Sequence, residues 1–133
     1  MKVKTLSILI LLSSLTLSGC GGDVRNVNIS GFQSYIYTDD DIENAFKSIK
    51  SYFKSNFDGC TLTKLGYYGD AYSDEFNEYA ERYNASEAII IGSSFFTNEK
   101  ERNDGLSENS VYNYHWILVR NENKNWETVD FGY

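Results

Sequence analysis

Two cysteines and one histidine are the side chains of this 133-residue chain that most readily act as nucleophiles or bases. They are Cys20, Cys60 and His115. A cysteine becomes a catalytic nucleophile when a base lies beside it, and the sequence places no base next to Cys60. Cys60 stands between Gly59 and Thr61, where an apolar alternation begins, which is typical of a small buried hydrophobic residue. We therefore expect Cys60 to belong to the core, with a Cys60–His115 pair as the weaker alternative.

Cys20 closes an N-terminal segment with the build of a secretory signal. Lys2 and Lys4 supply positive charge, and residues 5–17 are apolar apart from threonine and serine. This apolar run is shorter than the roughly 20 residues that a helix needs to cross a bilayer. A membrane-spanning anchor is therefore the weaker interpretation of the segment.

The stretch Leu17-Ser18-Gly19-Cys20 resembles a bacterial lipobox, in which the cysteine thiol receives a diacylglyceryl group and the chain is cut just before it. The resemblance implies that residues 1–19 are a lipoprotein signal peptide and that Cys20 is the lipidated first residue of the mature chain. It also implies a location on the extracytoplasmic face of a cell membrane. Lipidation of Cys20 would leave Cys60 without a disulfide partner in the chain.

The acidic balance of the chain restricts its partners. The chain has 12 basic and 19 acidic residues, so its formal net charge is −7. Loss of residues 1–19 would remove two lysines and no acid, which leaves 10 basic residues and a charge of −9. Phosphate backbones and anionic head groups repel such a surface, so the charge argues against nucleic acid and against electrostatic attachment to lipid. The expected partners are the membrane, through the lipid on Cys20, and an unknown small ligand or protein. No cofactor is predicted.

Two acidic stretches invite a metal-binding hypothesis, and neither has the spacing of a calcium loop. Residues 39–41 are three consecutive aspartates, whereas a calcium loop alternates its ligands around a glycine. At the start of a helix these acids would instead cap free amides and favour the positive end of the helix dipole. The charged loop 98–110 carries Lys100 and Arg102 where carboxylates would be required. The sequence therefore predicts no metal site.

Hydrophobic periodicity divides the rest of the chain into helices and strands. Apolar residues at helical spacing predict a first helix that Thr38 or a following aspartate caps. A two-residue alternation predicts a C-terminal hairpin joined by a polar turn. The predicted order is a polar tether at 20–37, a helix at 38–57, a strand at 60–68, an acidic helix at 73–83, a buried strand at 87–96 and hairpin strands at 111–120 and 126–133. Docking of part of residues 32–37 as an edge segment of the sheet is the alternative to a tether there.

This order predicts one α+β domain over residues 38–133. Helices ahead of a mostly antiparallel meander bury their apolar stripes against one face of the sheet. We expect the first helix to pack on a curved sheet whose last two strands are the hairpin.

Several segments of this domain resemble known proteins. Tyr52-Phe53-Lys54, Gly59-Cys60-Thr61-Leu62 and the hairpin from Tyr114 to Tyr133 are similar to the DUF4829-type family of small bacterial lipoproteins of unknown function. The pattern W-I-L-V-R, a short polar turn and W-x-x-V-D-x-G-Y also resembles the last hairpin of NTF2-like, or cystatin-like, cone folds. The resemblance implies a long helix packed on a strongly bent sheet, with a cavity at the open end of the cone. It brings no catalytic residues, because a fold alone does not define a function.

Aromatic residues supply the candidates for a non-enzymatic module that binds a small ligand, peptide or protein. Small-molecule sites are lined by apolar and aromatic side chains with a few polar groups, and the chain contains eleven tyrosines and eight phenylalanines. Each single candidate has the alternative role of a core or sheet-surface aromatic. The candidates are Tyr67, Tyr68, Tyr114, Trp116 and Trp126.

An enzyme of the isomerase or dehydratase kind is the alternative function. Such a site needs a base in an apolar pocket and a hydroxyl that stabilises an enolate. His115 or Asp130 would be the base, and a tyrosine such as Tyr114 would be the donor. Adjacent residues of a regular strand point to opposite faces, so Tyr114 and His115 could not face one cavity. This geometry counts against that pair.

A third hypothesis is an accessory or immunity-like lipoprotein that binds a protein in a membrane assembly. Nothing in the residues separates this hypothesis from ligand binding. A stoichiometric protein partner, recovered from detergent-solubilised membranes, would separate the two.

Overall fold

The computed structural model describes residues 21–30, 33–99, 104–122 and 124–133. The signal peptide predicted at residues 1–19 and the lipidation site Cys20 lie outside these ranges, and both stay predictions. Within the described ranges the chain forms two α-helices, one 3₁₀ turn and one five-stranded sheet. The α+β class predicted from the sequence is confirmed.

The elements follow one another in the predicted order, with a short additional strand before the first helix. The sheet is open and has the strand order β1-β2-β3-β4-β5; β1 pairs in parallel with β2, and the other neighbours are antiparallel. The bounds are β1 Asn28–Ile29, α1 Asp39–Asn56, β2 Cys60–Tyr67, the 3₁₀ turn Asp70–Tyr72, α2 Ser73–Arg82, β3 Glu87–Thr97, β4 Val111–Arg120 and β5 Glu127–Gly132.

Helix α1 begins with a capping box. The Asp41 amide donates to the Thr38 hydroxyl at 3.1 Å, and the Thr38 amide donates to the Asp41 carboxylate at 3.0 Å. These bonds satisfy two amides that have no partner within the helix. The aspartates of the first turn also lie at the positive end of the helix dipole. The capping role predicted for Thr38 and the aspartates is confirmed.

One face of the sheet packs against α1 and forms the core. The Phe53 ring of α1 has its centroid 5.6 Å from that of Phe95 on β3 and 6.5 Å from that of Trp116 on β4. Cys60 is also buried, as predicted. Burial of each large apolar side chain contributes about 1.5–3 kcal/mol. We call the face of the sheet that packs against α1 the inner face, and the opposite face the outer face.

Residues 22–30 dock against the edge of the sheet, within the range 20–37 where the sequence predicted a tether. The Gly22 amide donates to the Lys54 carbonyl at 3.0 Å, and β1 then pairs with β2. This docking requires glycine at position 22, because a Cβ there would lie 2.5 Å from Phe53. The segment was predicted to be a tether because its residues have no hydrophobic period. It docks instead because its backbone amides and carbonyls pair with backbone groups that are distant in the sequence.

The 3₁₀ turn and α2 pack near the start of β3. The Phe76 ring of α2 lies 6.1 Å from the ring of Tyr37 and 6.2 Å from that of Tyr67, measured between centroids. The Tyr37 hydroxyl donates to the Ala88 carbonyl and so ties the chain before α1 to β3. Across the described ranges, neither helix is long and apolar enough to cross a bilayer.

Candidate functional site

The outer face carries two rows of residues that cross the middle of the sheet. In the first row Lys64 of β2 stands opposite Ser94 of β3, and Ser94 stands opposite Asn113 of β4. Residues two positions apart in a strand point to the same face, so the next row on the outer face lies two residues further along each strand. That second row consists of Gly66, Gly92, His115 and Gly132.

The glycines of the second row give Tyr68 a place on the outer face. A Cβ on Gly92 would lie 2.8 Å from Cε2 of the Tyr68 ring, so the ring lies directly against the backbone of β3. A Cβ on Gly66 would lie 3.3 Å from the Ser30 side chain. Glycine in a strand often marks such a close approach of another group.

Three rings meet above this row. The Tyr68 hydroxyl and His115 Nε2 share a hydrogen bond. The Tyr68 and His115 rings meet edge to face with centroids 4.5 Å apart, and Tyr72 meets Tyr68 in the same manner at 5.0 Å. Each of the two tyrosines keeps 38% of its surface exposed. The rings therefore present an aromatic surface that a ligand can reach.

Polar side chains of the first row lie beside the rings. The Ser94 hydroxyl donates to Asn113 Oδ1 at 2.6 Å, and the amide nitrogen of Asn113 has no hydrogen-bond acceptor among the described residues. Lys64 is exposed and forms no salt bridge with a described residue. The row therefore offers several hydrogen-bond donors to a bound molecule.

These residues line a groove of about 450 Å³ on the outer face, which is within the size range of small-molecule sites. The part of the groove that the structure describes is lined by no aspartate or glutamate, although the chain as a whole carries a formal charge of −7. We call it the outer groove. Its lining includes the side chains of Lys64, Tyr68, Tyr72, Ser94, Asn113 and His115.

The two tryptophans predicted as ligand-binding residues lie in the core. Trp116 has no exposed surface, and its indole nitrogen donates to the Ser93 hydroxyl at 2.7 Å. Trp126 is 4% exposed, and its indole nitrogen donates to the Asp41 carbonyl at 2.9 Å. Both indoles are packed and hydrogen-bonded within the protein, which leaves neither available to line the outer groove.

Two further candidates, Tyr67 and Tyr114, border the outer groove and direct their rings to the inner face. The Tyr67 hydroxyl donates to Asp70 at 2.7 Å, and burial together with this carboxylate raises the pKa of the Tyr67 phenol. The Tyr114 ring stacks on Phe131 with centroids 6.0 Å apart, and burial raises the pKa of its phenol. Tyr68 is the candidate whose ring enters the groove.

The bases considered for an enzyme, His115 and Asp130, both lie on the outer face. His115 is exposed within the outer groove. Asp130 is exposed on the edge strand β5 and outside the groove lining, where its carboxylate accepts a hydrogen bond from the Phe131 amide at 2.9 Å. Tyr114 faces the other side of the sheet, so the hydroxyl beside His115 belongs to Tyr68.

A second polar cluster ties α1 to β3 and β4. The Arg120 guanidinium donates to Asp41 at 2.8 Å and to Glu87, and it lies 4.2 Å from the ring centroid of Trp126. The bond from Arg120 holds the pKa of the Asp41 carboxyl below its ordinary value. Each charged group of this cluster is hydrogen-bonded to another, so we assign the cluster a role in holding α1 to the sheet.

Sequence reasoning did not single out Lys64, Ser94 or Asn113. Polar residues occupy the exposed positions of most half-buried strands, so their types alone carry no signal. One signal was present in the sequence: Gly66 and Gly92 interrupt two predicted strands, and such glycines mark close approaches.

Comparison of the chain with protein-family models, with curated proteins and with solved structures finds no match. The resemblance to DUF4829-type lipoproteins therefore stays a prediction. Within the described ranges, no group of three histidine, cysteine, aspartate or glutamate residues is placed to hold a metal ion.

Proposed function

We propose that this chain is a membrane-anchored lipoprotein of the extracytoplasmic face, whose outer groove binds a small ligand without catalysing a reaction. The positive N-terminus, the short apolar run and the Leu17–Cys20 stretch support the anchor. The outer groove supports the binding function, because it combines an aromatic surface with convergent polar groups in a volume suited to a small molecule.

The observation that carries the binding proposal is the position of Tyr68 on Gly92. The ring lies across the outer face beside His115, and it stays partly exposed. Contacts with Tyr72 and His115 hold the ring in place before a ligand arrives. Such preorganisation lowers the entropic cost of binding.

The fold is proposed to be an NTF2-like cone. Helix α1 packs on one face of a single sheet, and irregularities in the β2–β3 and β4–β5 pairings are the kind of feature that bends strands. In this cone the space between helix and sheet is filled by side chains such as Phe53, Phe95 and Trp116. The proposed ligand site therefore lies on the outer face of the cone.

An enzymatic role for His115 is the second candidate. The hydrogen bond between Tyr68 and His115 favours it, because a base and a hydroxyl lie side by side. Proton abstraction of this kind gains most from a site that excludes water, whereas His115 is exposed. The geometry therefore favours binding over catalysis.

Replacement of Cys20 by serine tests the anchor. A serine hydroxyl does not receive the thioether-linked diacylglyceryl group, so Cys20→Ser should abolish fatty-acid labelling and release the chain from the membrane fraction. Cys60→Ala is the matched control and should retain both properties. Labelling and membrane attachment of the Cys20→Ser chain would contradict the proposed location.

Ligand-observed NMR tests the binding function of the outer groove. A library of small fragments is screened by saturation transfer against the full chain in detergent micelles. Tyr68→Ala and Asn113→Ala should abolish the signals of the fragments that bind. Tyr35→Ala removes a fully exposed tyrosine and should leave them unchanged.

Circular dichroism establishes that each of these variants is folded. A library without binders would overturn the proposed function. Binders whose signals persist in both groove variants would overturn it as well, because the fragments would then bind elsewhere.

A further inference from the structure

We propose that the outer groove binds a sugar that carries an anionic group. This inference rests on the binding function proposed above and names the chemical class of its ligand. Three properties of the groove carry it: its charge, its aromatic surface and its hydrogen-bond donors.

The charge of the groove favours an anion. Its described lining contains no carboxylate, and Lys64 has no salt-bridge partner among the described residues. Lys64 on β2 and His115 on β4 stand on either side of β3 and two residues apart along the strands, about 12 Å apart at their backbones. A negatively charged group in the groove approaches the Lys64 ammonium, while the acidic remainder of the surface repels it.

The aromatic surface favours a ring with an apolar face. The faces of tyrosine rings are negative because of their π-electrons, and the C–H bonds on one side of a pyranose ring are weakly positive. Tyr68 and Tyr72 are partly exposed and fixed edge to face, which gives such a ring a rigid surface to contact. A small inorganic anion would make no use of these rings.

The hydrogen-bond donors favour a ligand rich in oxygen. Asn113 has an amide nitrogen without an acceptor among the described residues, and the Ser94 hydroxyl lies beside it. Sugar hydroxyls both accept and donate hydrogen bonds, so they match this polar row. A purely apolar ligand would leave the Asn113 amide nitrogen without a partner, at a cost in affinity.

Calorimetry with the full chain in detergent tests the inference with four probes: glucuronate, glucose 6-phosphate, glucose and acetate. An exposed ion pair contributes up to about 1 kcal/mol, so the ion pair with Lys64 should make one of the anionic sugars bind about fivefold more tightly than glucose. The same anionic sugar should bind more tightly than acetate, which lacks the ring. Glucuronate and glucose 6-phosphate distinguish a carboxylate from a phosphate as the anionic group.

Lys64→Gln should weaken the binding of that anionic sugar about fivefold, because one ion pair is lost. Lys47→Gln is the matched control, since it removes an exposed lysine from α1 on the other side of the sheet. The control should bind like the wild type.

Three results would overturn the inference. Glucose binding as tightly as both anionic sugars would show a neutral sugar site, and acetate binding as tightly would show a simple anion site. Absence of binding by all four probes would exclude the proposed class. In each case fragment signals lost in Tyr68→Ala and Asn113→Ala would still support the binding function, so the two proposals fail separately.

Discussion

At the scale of single residues, the outer groove depends on the side chain that Gly92 lacks. A Cβ at this position would lie 2.8 Å from the Tyr68 ring. Tyr68 would then have to move away from His115, and the hydrogen bond between them would be lost. A glycine within a strand weakens the strand, and at Gly92 the same glycine makes room for an aromatic surface.

Asp41 is the residue at which stability should depend on pH. Its pKa is lowered chiefly by the hydrogen bond from Arg120, so Asp41→Asn should cost about 1–2 kcal/mol near neutral pH. Because the folded-state pKa lies below the value of about 3.9 for an unfolded aspartate, this stabilisation is present above that value. It is lost as the pH falls through the folded-state pKa.

Urea unfolding of wild type and Asp41→Asn measures this effect near neutral pH and at about pH 2. The difference in the free energy of unfolding should shrink in acid. Asp40→Asn is the control, because Asp40 is an exposed neighbour in the same helical turn. An equal loss of stability in both variants would assign the effect to the helix dipole and not to Arg120.

At the scale of elements, the segment 22–30 completes the sheet. It covers the edge of β2, which would otherwise present unpaired backbone groups to solvent. The Leu62 amide of β2 donates to the Asp23 carbonyl at 2.9 Å, and the Ser30 amide donates to the Leu65 carbonyl at 2.9 Å. The docked segment thus brings Ser30 to the border of the outer groove.

Gly22→Ala should loosen this segment. Its Cβ would lie 2.5 Å from Phe53, and overpacking of this kind costs about 1–3 kcal/mol. We expect faster hydrogen exchange of the Leu62 amide. Asn26→Ala changes an exposed residue of the same segment and should leave that exchange unchanged. Wild-type protection of the Leu62 amide in Gly22→Ala would contradict the docking.

At the scale of the whole molecule, the elements with local signals could be predicted from the sequence. The cap at Thr38 and the apolar stripe of α1 are encoded by neighbouring residues, and the hairpin by a two-residue alternation. The docking of 22–30 could not be predicted, because its backbone partners are distant in the sequence and its own residues have no period. Pairing across such distances depends on the assembled sheet.

The candidate site, too, could be predicted only as far as neighbouring residues encode it. The sequence indicated Tyr68 and His115 as separate residues, and strand alternation separated His115 from Tyr114. It could not show that Tyr68 lies on Gly92, since that contact depends on the register between β2 and β3. Without the register of the strands, the sequence also could not show that Trp116 is buried in the core while Tyr68 is exposed, so both were candidates.

The central claim is that a small molecule binds on the outer face beside His115. His115 is the single histidine of the chain, so the Cε1–H signal of its imidazole reports on the outer groove in a carbon–proton NMR spectrum. Titration of the full chain with a fragment that binds, at constant pH, should shift this signal until it saturates. An imidazole signal that stays fixed while the fragment saturates the protein would contradict the claim.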